Sequence, residues 1–326
     1  MAVEELFLLI GSTIFLAKSS ELVVENAARL AKFFGISQLT IGMILIAVST
    51  SLPELSVSVL SSVIHEGSIA AGNVFGSNIA NILLVLGLGA FLYSFRIDKD
   101  SLPSLTYSLL LTTTISAYIL IHSYFTDSAL GFYEGIFLLL IGLWFLHNLL
   151  KDKRMKPIPT KRVHMYEGIK SFLFFMIVII AVIISSGFVV DSAVNLSNIL
   201  GLAKSFIGST IIAVGTSLPE LSIDLQSIKR RQYKLAIGDA LGSNVVNLTL
   251  VLGSAAAISP ISVNLKIFSV ALLFAIIANI VFYYFVHERY KLAKTEGISL
   301  LIVYLFYIII ISSIQLKEAE IFIKLN

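Results

Sequence analysis

The sequence predicts an all-α polytopic membrane protein with ten transmembrane helices, arranged as two inverted repeats of five helices each. Three observations lead to this fold class. The composition is too apolar for a soluble domain, apolar runs of bilayer length recur along the chain, and a segment in one half is copied in the other. The predicted units are residues 1–150, a basic cytoplasmic linker at 151–165, and residues 166–326.

The composition places the chain in a membrane. Of the 326 residues, 57% are hydrophobic and 13% are charged, and the mean hydropathy is +0.94. A soluble globular protein carries about 25% charged residues, so this chain would expose large apolar surfaces in water. The absence of cysteine excludes disulfide and thiol chemistry. The small net charge of +3 gives no reason to expect a nucleic-acid partner.

Apolar runs long enough to cross a bilayer, about 20 residues, recur along the whole chain. The predicted spans are 4–34, 37–63, 68–95, 103–124, 129–150, 166–199, 205–228, 234–259, 264–286 and 297–316. The first and sixth runs are longer than a straight crossing needs. We expect these two helices to be strongly tilted or to have an interfacial second half, and Glu21, Glu25 and Arg29 favour this in the first.

Basic residues concentrate on one side of the predicted membrane. Alternate connections, the linker 151–165 included, hold seventeen of the 23 Lys and Arg residues. The opposite side holds only Lys204, Lys266, Lys317 and Lys324. Because Lys and Arg are enriched in cytoplasmic loops, we expect a multi-pass protein of the cell membrane with that linker in the cytoplasm and both termini outside.

Residues 41–87 and 207–253 are two copies of one segment. They align without a gap at an offset of 166, with 23 identities in 47 positions, which indicates gene duplication. The copies lie five predicted spans apart, and an odd separation reverses the direction in which the chain crosses the membrane. The copies are therefore expected to be inverted about an axis in the membrane plane. Secondary transporters are often built this way, with a substrate site at the midplane between the repeats.

Each copy places two hydroxyls and a carboxylate on one helix face, at the spacing i, i+3, i+4 and i+7. The members of this face are Ala47, Thr50, Ser51 and Glu54 in the first copy and Ala213, Thr216, Ser217 and Glu220 in the second. A carboxylate near the bilayer centre is costly unless it is paired, protonated or bound to a metal. Since no Lys or Arg lies mid-span in the neighbouring repeat segments, a bound cation is the simplest compensation.

A proline in each copy gives a further reason to predict a cation site. Pro53 and Pro219 lack an N–H and clash with the carbonyl four residues back, so each helix is expected to kink or unwind there. Carbonyls freed near 47–50 and 213–216 then become candidate ligands beside the hydroxyls and carboxylates. Oxygen ligands suit a hard cation such as Ca²⁺, whereas the absence of Cys and of nearby His makes Zn²⁺ or Cu⁺ a poor fit.

The helix that follows each copy carries a second polar stripe, with residues four apart. The stripe consists of Asn73, Ser77 and Asn81 in the first copy and of Asp239, Ser243 and Asn247 in the second. The surrounding residues are apolar, apart from glycines that allow close helix approach. These glycines are Gly72, Gly76, Gly238 and Gly242.

The paired Gly/Ser-Thr-Ser-Leu-Pro-Glu-Leu segments, each followed by Gly-Asn/Asp-x-x-Gly-Ser-Asn, resemble the two alpha repeats of the sodium/calcium exchangers in the cation/Ca²⁺ exchanger superfamily. The ten-span plan is similar to that of prokaryotic-type members. The resemblance implies an antiporter whose main Ca²⁺ ligands are Glu54 and Glu220, with backbone oxygens near Thr50 and Thr216. The Na⁺ ligands that it implies are Ala47, Ala213, Thr50, Thr216, Ser51, Ser217, Ser77 and Ser243, with Asn81 and Asn247 completing the centre. It also makes the first and sixth spans candidates for a sliding gate.

The second copy departs from the first at two acidic positions, Asp224 in place of Ser58 and Asp239 in place of Asn73. Asp224 lies one turn beyond Glu220 towards the predicted inside. It could line an inner entry path, or it could be a solvated helix-end residue paired with Lys229 or Arg230, which is the interpretation we favour. The pattern assigns no role to Asp239. Some exchangers carry Asp at the position of Asn247, which leaves the ion coupling of this chain open.

These residues favour secondary active exchange of Ca²⁺ for Na⁺ by alternating access at a midplane site, because the hydroxyls retained in both copies suit Na⁺. Two alternatives stay open: Ca²⁺/H⁺ exchange, in which Glu54 and Glu220 take protons, and a Ca²⁺-permeable channel. The sequence has no nucleophile–base pair or metal-hydrolase motif, so no enzymatic activity is expected. We expect no resident cofactor and no obligate protein partner; the partners are the lipid bilayer and the transported ions.

Overall fold

The computed structural model describes residues 2–33, 48, 50–97, 101–125, 130–151, 165–262 and 265–325, and most of them are helical. The α-helices are α1 (Ala2–Phe33), α2 (Leu52–Val63), α3 (Gly67–Ile79), α4 (Gly87–Tyr93), α5 (Leu102–His122), α6 (Phe132–Lys151), α7 (Met165–Leu200), α8 (Lys204–Ile207), α9 (Ala213–Thr216), α10 (Leu218–Lys229), α11 (Tyr233–Val246), α12 (Leu252–Ile258), α13 (Leu265–Arg289) and α14 (Lys294–Leu325). The other elements are the π-helical segments π1 (Ala80–Leu86), π2 (Gly208–Ile212) and π3 (Asn247–Val251), and the short strands β1 (Phe95–Arg96) and β2 (Lys291–Leu292).

Several of these helices are long and apolar enough to cross a membrane. Among the described residues there are six such helices, or seven if the bent pair Lys204–Thr216 and Leu218–Lys229 forms one span. Phe132–Asn148 is apolar but shorter, and much of the first half of predicted span 37–63 lies outside the described residues. The prediction of a helical, multi-pass membrane protein is confirmed, whereas the number ten stays a prediction.

Two interrupted helices form the centre of the molecule. They run over Gly67–Tyr93 and Tyr233–Ile258, and 83% and 72% of their most apolar stretches are buried. Both are built from small and apolar residues, which lets neighbouring helices approach closely on every side. The outward surfaces of the peripheral helices instead carry exposed apolar side chains such as Phe7, Ile177 and Leu305, as contact with lipid requires.

Glycine allows α3 to pack directly on the backbone of π2. A Cβ atom at Gly72 would lie 2.5 Å from the carbonyl oxygen of Ser205. One at Gly76 would lie 2.5 Å from the Cβ of Ala213 and 2.6 Å from the carbonyl oxygen of Ser209. Such distances leave no room for a side chain, so the predicted close approach is confirmed for Gly72 and Gly76. It brings the polar stripe of α3 against the segment that leads into Thr216.

The contacts between the two halves of the chain occur in equivalent pairs. A Cβ atom at Gly135 in α6 would lie 2.8 Å from the carbonyl oxygen of Gly253 in α12, and one at Gly297 in α14 would lie 2.8 Å from that of Gly87 in α4. Gly87 and Gly253 are 166 residues apart. The connections between helices also form equivalent contacts. Phe95 pairs with Leu292 in the β1–β2 ribbon, and Ile261, the counterpart of Phe95, forms an antiparallel bridge with Leu130.

Helices α1 and α7 pack against each other at the side of the main core. Their buried residues, among them Leu9, Leu16, Val182 and Val189, belong to a hydrophobic cluster separate from the larger one around α3 and α11. The amide of Asn195 near the end of α7 donates to a carboxylate oxygen near the start of α1, at 3.1 Å. The two long helices therefore run antiparallel.

One ion pair joins the connection before α3 to the start of α8. The ammonium of Lys204 donates to Oε1 of Glu66, and the two side chains are 28% and 20% exposed. The positions 166 residues away from this pair hold Gln38 and Gln232, which carry no charge. An ion pair of this kind is therefore not repeated at the offset of 166.

Candidate functional site

The helix containing each Thr-Ser-Leu-Pro-Glu segment is interrupted at the serine. Ser51 has φ −81° and ψ 6°, and Ser217 has φ −83° and ψ 9°, so both copies leave the helical ladder at the same point. A new helix then starts with Pro in its first turn, where a missing N–H costs nothing. In the second copy, the two segments are bent by 44°. The predicted break at proline is confirmed there, and it leaves Glu54 and Glu220 in the first turns of α2 and α10.

Glu54 is fully buried and is held by hydroxyls from two other segments. Its Oε1 accepts hydrogen bonds from the hydroxyls of Ser77 and Ser217, both at 3.2 Å. Ser77 comes from α3, whereas Ser217 comes from the second copy of the repeat. The predicted site residues Ser77 and Ser217 therefore both contact Glu54, although the spacing places Ser217 on the same face as Glu220, and the two copies meet at this carboxylate.

The hydroxyl of Ser77 also reaches the backbone next to the second break. It lies 3.3 Å from the carbonyl oxygen of Ala213 and 3.3 Å from the hydroxyl of Thr216. Thr216 in turn lies 3.3 Å from the same carbonyl and donates to Oδ1 of Asn73 at 3.0 Å. Ala213 thus contributes a backbone oxygen to the cluster, as its position on the predicted face requires. Ala47, its counterpart, lies outside the described residues, so its predicted place stays a prediction.

Thr50 repeats these contacts on the other side of the cluster. Its hydroxyl lies 3.1 Å from that of Ser243 and 3.4 Å from Oδ1 of Asp239. These contacts are the counterparts, at the offset of 166, of those that Thr216 makes with Ser77 and with Asn73. The prediction that α3 and α11 carry polar residues towards the Glu-bearing segments therefore holds in both copies.

Glu220 differs from Glu54 in its partners, although both side chains are 0% exposed. Neither carboxylate oxygen of Glu220 receives a hydrogen bond from the described part of the chain. The same is true of the hydroxyl of Ser51, which is the counterpart of the Ser217 hydroxyl that binds Glu54. Asp224 and Asp239, in the hairpin of α10 and α11, are also buried. The second copy therefore buries two more carboxyl groups than the first.

Four asparagines connect the two copies at the centre. The amides of Asn78 and Asn244 donate to each other's backbone carbonyls, both at 3.1 Å. Asn81 donates to Oδ1 of Asn244, and Asn247 donates to Oδ1 of Asn78, both at 3.2 Å. All four side chains are at least 96% buried. Asn81 and Asn247 lie where the two copies meet, and each keeps an amide oxygen that has no donor among the described residues.

Sequence reasoning missed Asn78, Asn244 and the contacts of Asn73. The i, i+4 stripe leads from Ser77 to Asn81 and from Ser243 to Asn247, and it passes over the asparagine directly after each serine. The signal that could have found Asn78 and Asn244 is their identity in both copies, directly after the Gly-Ser pair. π-Helical segments begin at Ala80 and Asn247. Such segments are rare and often mark functional sites.

One prediction about the acidic positions is wrong. Asp224 was expected to be solvated and paired with Lys229 or Arg230, but its side chain is 0% exposed and neither oxygen has a partner in the described structure. The reason is that α10 and α11 form a tight hairpin, so Asp224 turns inward against α11 while Lys229 and Arg230 lie exposed at the end of α10. Asp239 is also buried, at 4% exposure.

The site therefore consists of buried oxygen atoms, among them the carboxyl groups of Glu54 and Glu220. Asp224 and Asp239 are buried beside it, and no described Lys, Arg or His is buried anywhere. Such a set of carboxylate, hydroxyl, amide and carbonyl oxygens suits a hard cation and excludes an anion as the preferred ligand.

Comparison with known proteins identifies the family. The family model for the sodium/calcium exchanger protein matches residues 5–150 and 170–313. Inner membrane protein YrbG of Escherichia coli is 33% identical, over 78% of this chain and 79% of YrbG, and sodium/calcium exchanger MaX1 of Methanosarcina acetivorans is 26% identical, over 95% of this chain and 99% of MaX1. The solved structure of the sodium-calcium exchanger NCX_Mj soaked with 10 mM Na⁺ and zero Ca²⁺ superposes with a TM-score of 0.65 at 26% identity, over 94% of this chain and 99% of that one. The chain belongs to the sodium/calcium exchanger family.

Proposed function

We propose that the protein is a secondary active antiporter that exchanges Ca²⁺ for Na⁺ across the membrane by alternating access at a midplane site. One observation carries this proposal. Glu54 and Glu220 are fully buried among hydroxyl, amide and carbonyl oxygens, and the described part of the chain buries no basic side chain that could neutralise them. In a low-dielectric interior, an ionised carboxylate without a positive partner is costly. A cation that binds there therefore gains the interaction that the protein itself does not supply.

The ligands of the proposed site are oxygen atoms from both copies of the repeat. Glu54 and Glu220 are the proposed main Ca²⁺ ligands, with backbone oxygens near Thr50 and Thr216, since Ca²⁺ prefers many oxygen ligands including carboxylates. The proposed Na⁺ ligands are Ala47, Ala213, Thr50, Thr216, Ser51, Ser217, Ser77 and Ser243, with Asn81 and Asn247 at the centre. Both ions depend on the same two carboxylates, so one ion enters only as the other leaves.

The proposal includes ten transmembrane helices in two inverted repeats, with both termini outside and the linker 151–165 in the cytoplasm. Contacts that recur at an offset of 166 support it. Examples are the reciprocal bonds of Asn78 and Asn244 and the paired contacts of Thr50 and Thr216. In such an arrangement, opening towards one side and opening towards the other are related movements of the two repeats.

Helices α1 and α7 are the proposed moving element. They pack antiparallel on each other, and most of their buried side chains form a cluster apart from the main core. Sliding of this pair along the remaining helices would disturb apolar contacts more than hydrogen bonds. Such contacts are non-directional, so they can be exchanged for similar ones after a shift.

Counter-ion-dependent flux of ⁴⁵Ca²⁺ into proteoliposomes tests the proposed exchange. Vesicles loaded with Na⁺ and diluted into Na⁺-free medium are expected to accumulate ⁴⁵Ca²⁺, and vesicles loaded with K⁺ or choline at the same pH are not. Accumulation driven by a pH gradient in the complete absence of Na⁺ would instead identify H⁺ as the counter-ion. Rapid Ca²⁺ flux without any counter-ion gradient would identify a channel.

Ser77 supplies a sharper test of the site, because its hydroxyl touches both Glu54 and the second copy. The substitution Ser77→Ala removes a hydrogen bond to a charged group, which contributes about 1.5–3 kcal/mol. We expect the half-saturating Ca²⁺ concentration for exchange to rise by about tenfold or more. The matched control is Ser116→Ala, because that buried hydroxyl bonds only to the carbonyl of Thr112 in its own helix at 2.8 Å. Equal Ca²⁺ dependence in the two variants would contradict the role of Ser77.

A further inference from the structure

Asp224 and Asp239 are two buried carboxylates that the proposed exchange site does not use. Asp224 follows Glu220 by one helical turn in α10, and Asp239 lies in α11, which returns along it. Helix α10 packs against α11, and the side chains at the two equivalent positions of the first copy are in direct contact. Both aspartates lie between Glu220 and the connection at 230–232, on the side of the molecule where the basic residues of that connection are exposed.

In the first copy of the repeat, the two equivalent positions hold neutral residues. Ser58 and Asn73 occupy them, and the amide of Asn73 donates to the hydroxyl of Ser58 at 3.1 Å. A neutral, satisfied hydrogen bond in one copy is therefore replaced by two carboxyl groups in the other. Both substitutions occur together at a pair of positions that face each other, which a solvated surface would not require.

Three of the four carboxylate oxygens of this pair have no donor in the described part of the chain. Oδ1 and Oδ2 of Asp224 and Oδ2 of Asp239 are buried and receive no hydrogen bond from any residue that the structure describes. Lys229 and Arg230 are exposed and form no ion pair with Asp224. Two neighbouring carboxylates in a low-dielectric interior repel each other strongly unless a proton or a cation lies between them.

We propose that Asp224 and Asp239 form a second cation site, selective for a divalent cation such as Ca²⁺, one helical turn from the exchange site. Two carboxylates balance the charge of one divalent ion. The hydroxyl of Thr50, 3.4 Å from Oδ1 of Asp239, is an available further ligand, and it also lies 3.1 Å from the hydroxyl of Ser243. Backbone oxygens or water complete the shell of oxygen ligands that Ca²⁺ requires.

The second site adjoins the exchange site at Thr50 and differs from it in its carboxylates. Among the described residues, no three side chains of Asp, Glu, His or Cys converge closely enough to hold one metal ion, so Glu220 does not converge on one ion with the aspartate pair. The role of the second site follows from its position and rests on the proposed exchange. The second site holds the ion on its path between Glu220 and the basic face of the protein.

Equilibrium binding of ⁴⁵Ca²⁺ to the purified full-length protein in detergent, without Na⁺ and at fixed pH, tests this second site. The decisive variant is Asp224→Ser with Asp239→Asn, because it installs the pair that the first copy already accommodates at 58 and 73. The wild type is expected to bind about two Ca²⁺ per chain and this variant about one. In the reverse test, Glu54→Gln with Glu220→Gln is expected to retain about one bound Ca²⁺, held by the intact aspartate pair.

Two results would overturn the proposal. One is equal Ca²⁺ binding by the wild type and the Asp224→Ser, Asp239→Asn variant, which would mean that the pair holds protons or takes part in no binding. The other is a complete loss of Ca²⁺ binding in the Glu54→Gln, Glu220→Gln variant, which leaves both aspartates unchanged and so does not depend on the folding of the first variant. The proposed exchange fails independently of both, through the absence of Na⁺-driven ⁴⁵Ca²⁺ uptake by the wild type.

Discussion

Na⁺-driven ⁴⁵Ca²⁺ uptake is expected to fall below detection when Glu54 is replaced by Gln. Glu54 is 0% exposed, and two hydroxyls position its Oε1. Water from outside therefore cannot take the place of the charge that Gln removes. Removing one partner of a buried charge pair costs about 3–5 kcal/mol, which corresponds to a loss of apparent Ca²⁺ affinity of more than about a hundredfold. The same loss is expected for Glu220→Gln.

The size of this effect depends on burial, so an exposed acid is the matched control. Glu288 lies exposed near the end of α13, and Glu288→Gln removes the same charge far from the buried cluster. Exchange by this variant is expected to equal that of the wild type in proteoliposomes of the same protein content. Uptake by Glu54→Gln at the level of Glu288→Gln would show that the carboxylate of Glu54 does not bind the transported ion.

The second large effect concerns folding, and it is expected for Gly76→Ala. The added Cβ would lie 2.5 Å from the Cβ of Ala213, 2.6 Å from the carbonyl oxygen of Ser209 and 2.8 Å from its Cα. Two of these atoms belong to the backbone of π2, so α3 and π2 must separate. Overpacking of a tight interior costs about 1–3 kcal/mol or more, and the midpoint of thermal unfolding followed by circular dichroism should fall by several degrees.

Gly187→Ala provides the comparison, since it is the same substitution in another helix of the same protein. Nothing lies within 4 Å of a Cβ atom at Gly187 in α7. Alanine there is expected to leave the unfolding midpoint unchanged or to raise it slightly, because alanine favours a helix over glycine by about 0.5–1 kcal/mol. If Gly76→Ala and Gly187→Ala unfolded at the same temperature, the backbone contact between α3 and π2 would not exist.

The sequence placed several polar residues beside one another correctly, whereas its number of spans stays a prediction. Thr50, Thr216, Ser77 and Ser243 could be placed because duplication fixes them in register with a buried acid, and one polar residue per helical turn identifies a face. Their contacts with the opposite copy follow once the two faces point at each other. Span counting was less decisive, because proline divides the chain at 217 and leaves shorter segments than the hydropathy pattern suggests.

What the sequence could not provide was the difference between the copies. Glu54 and Glu220 have identical flanking residues, yet Ser217 binds Glu54 while Ser51 binds nothing in the described structure. This difference arises from the tertiary arrangement of two nearly equal segments, and no local pattern encodes it. Asp224 shows a related failure, because a carboxylate one turn before a basic helix end is typical of a solvated pair. Only the packing of α10 against α11 decides that it is buried.

The ion pair between Lys204 and Glu66 is a contact whose strength depends on the ionic strength of the medium. It is partly exposed, so dissolved salt screens it, whereas the glutamines at positions 38 and 232 have no charge to screen. Under the alternating access that we propose, an inert salt added on the side that Lys204 and Glu66 face is expected to weaken this contact between the two halves of the chain. The resting balance between the two proposed orientations would then depend on the medium on that side of the membrane.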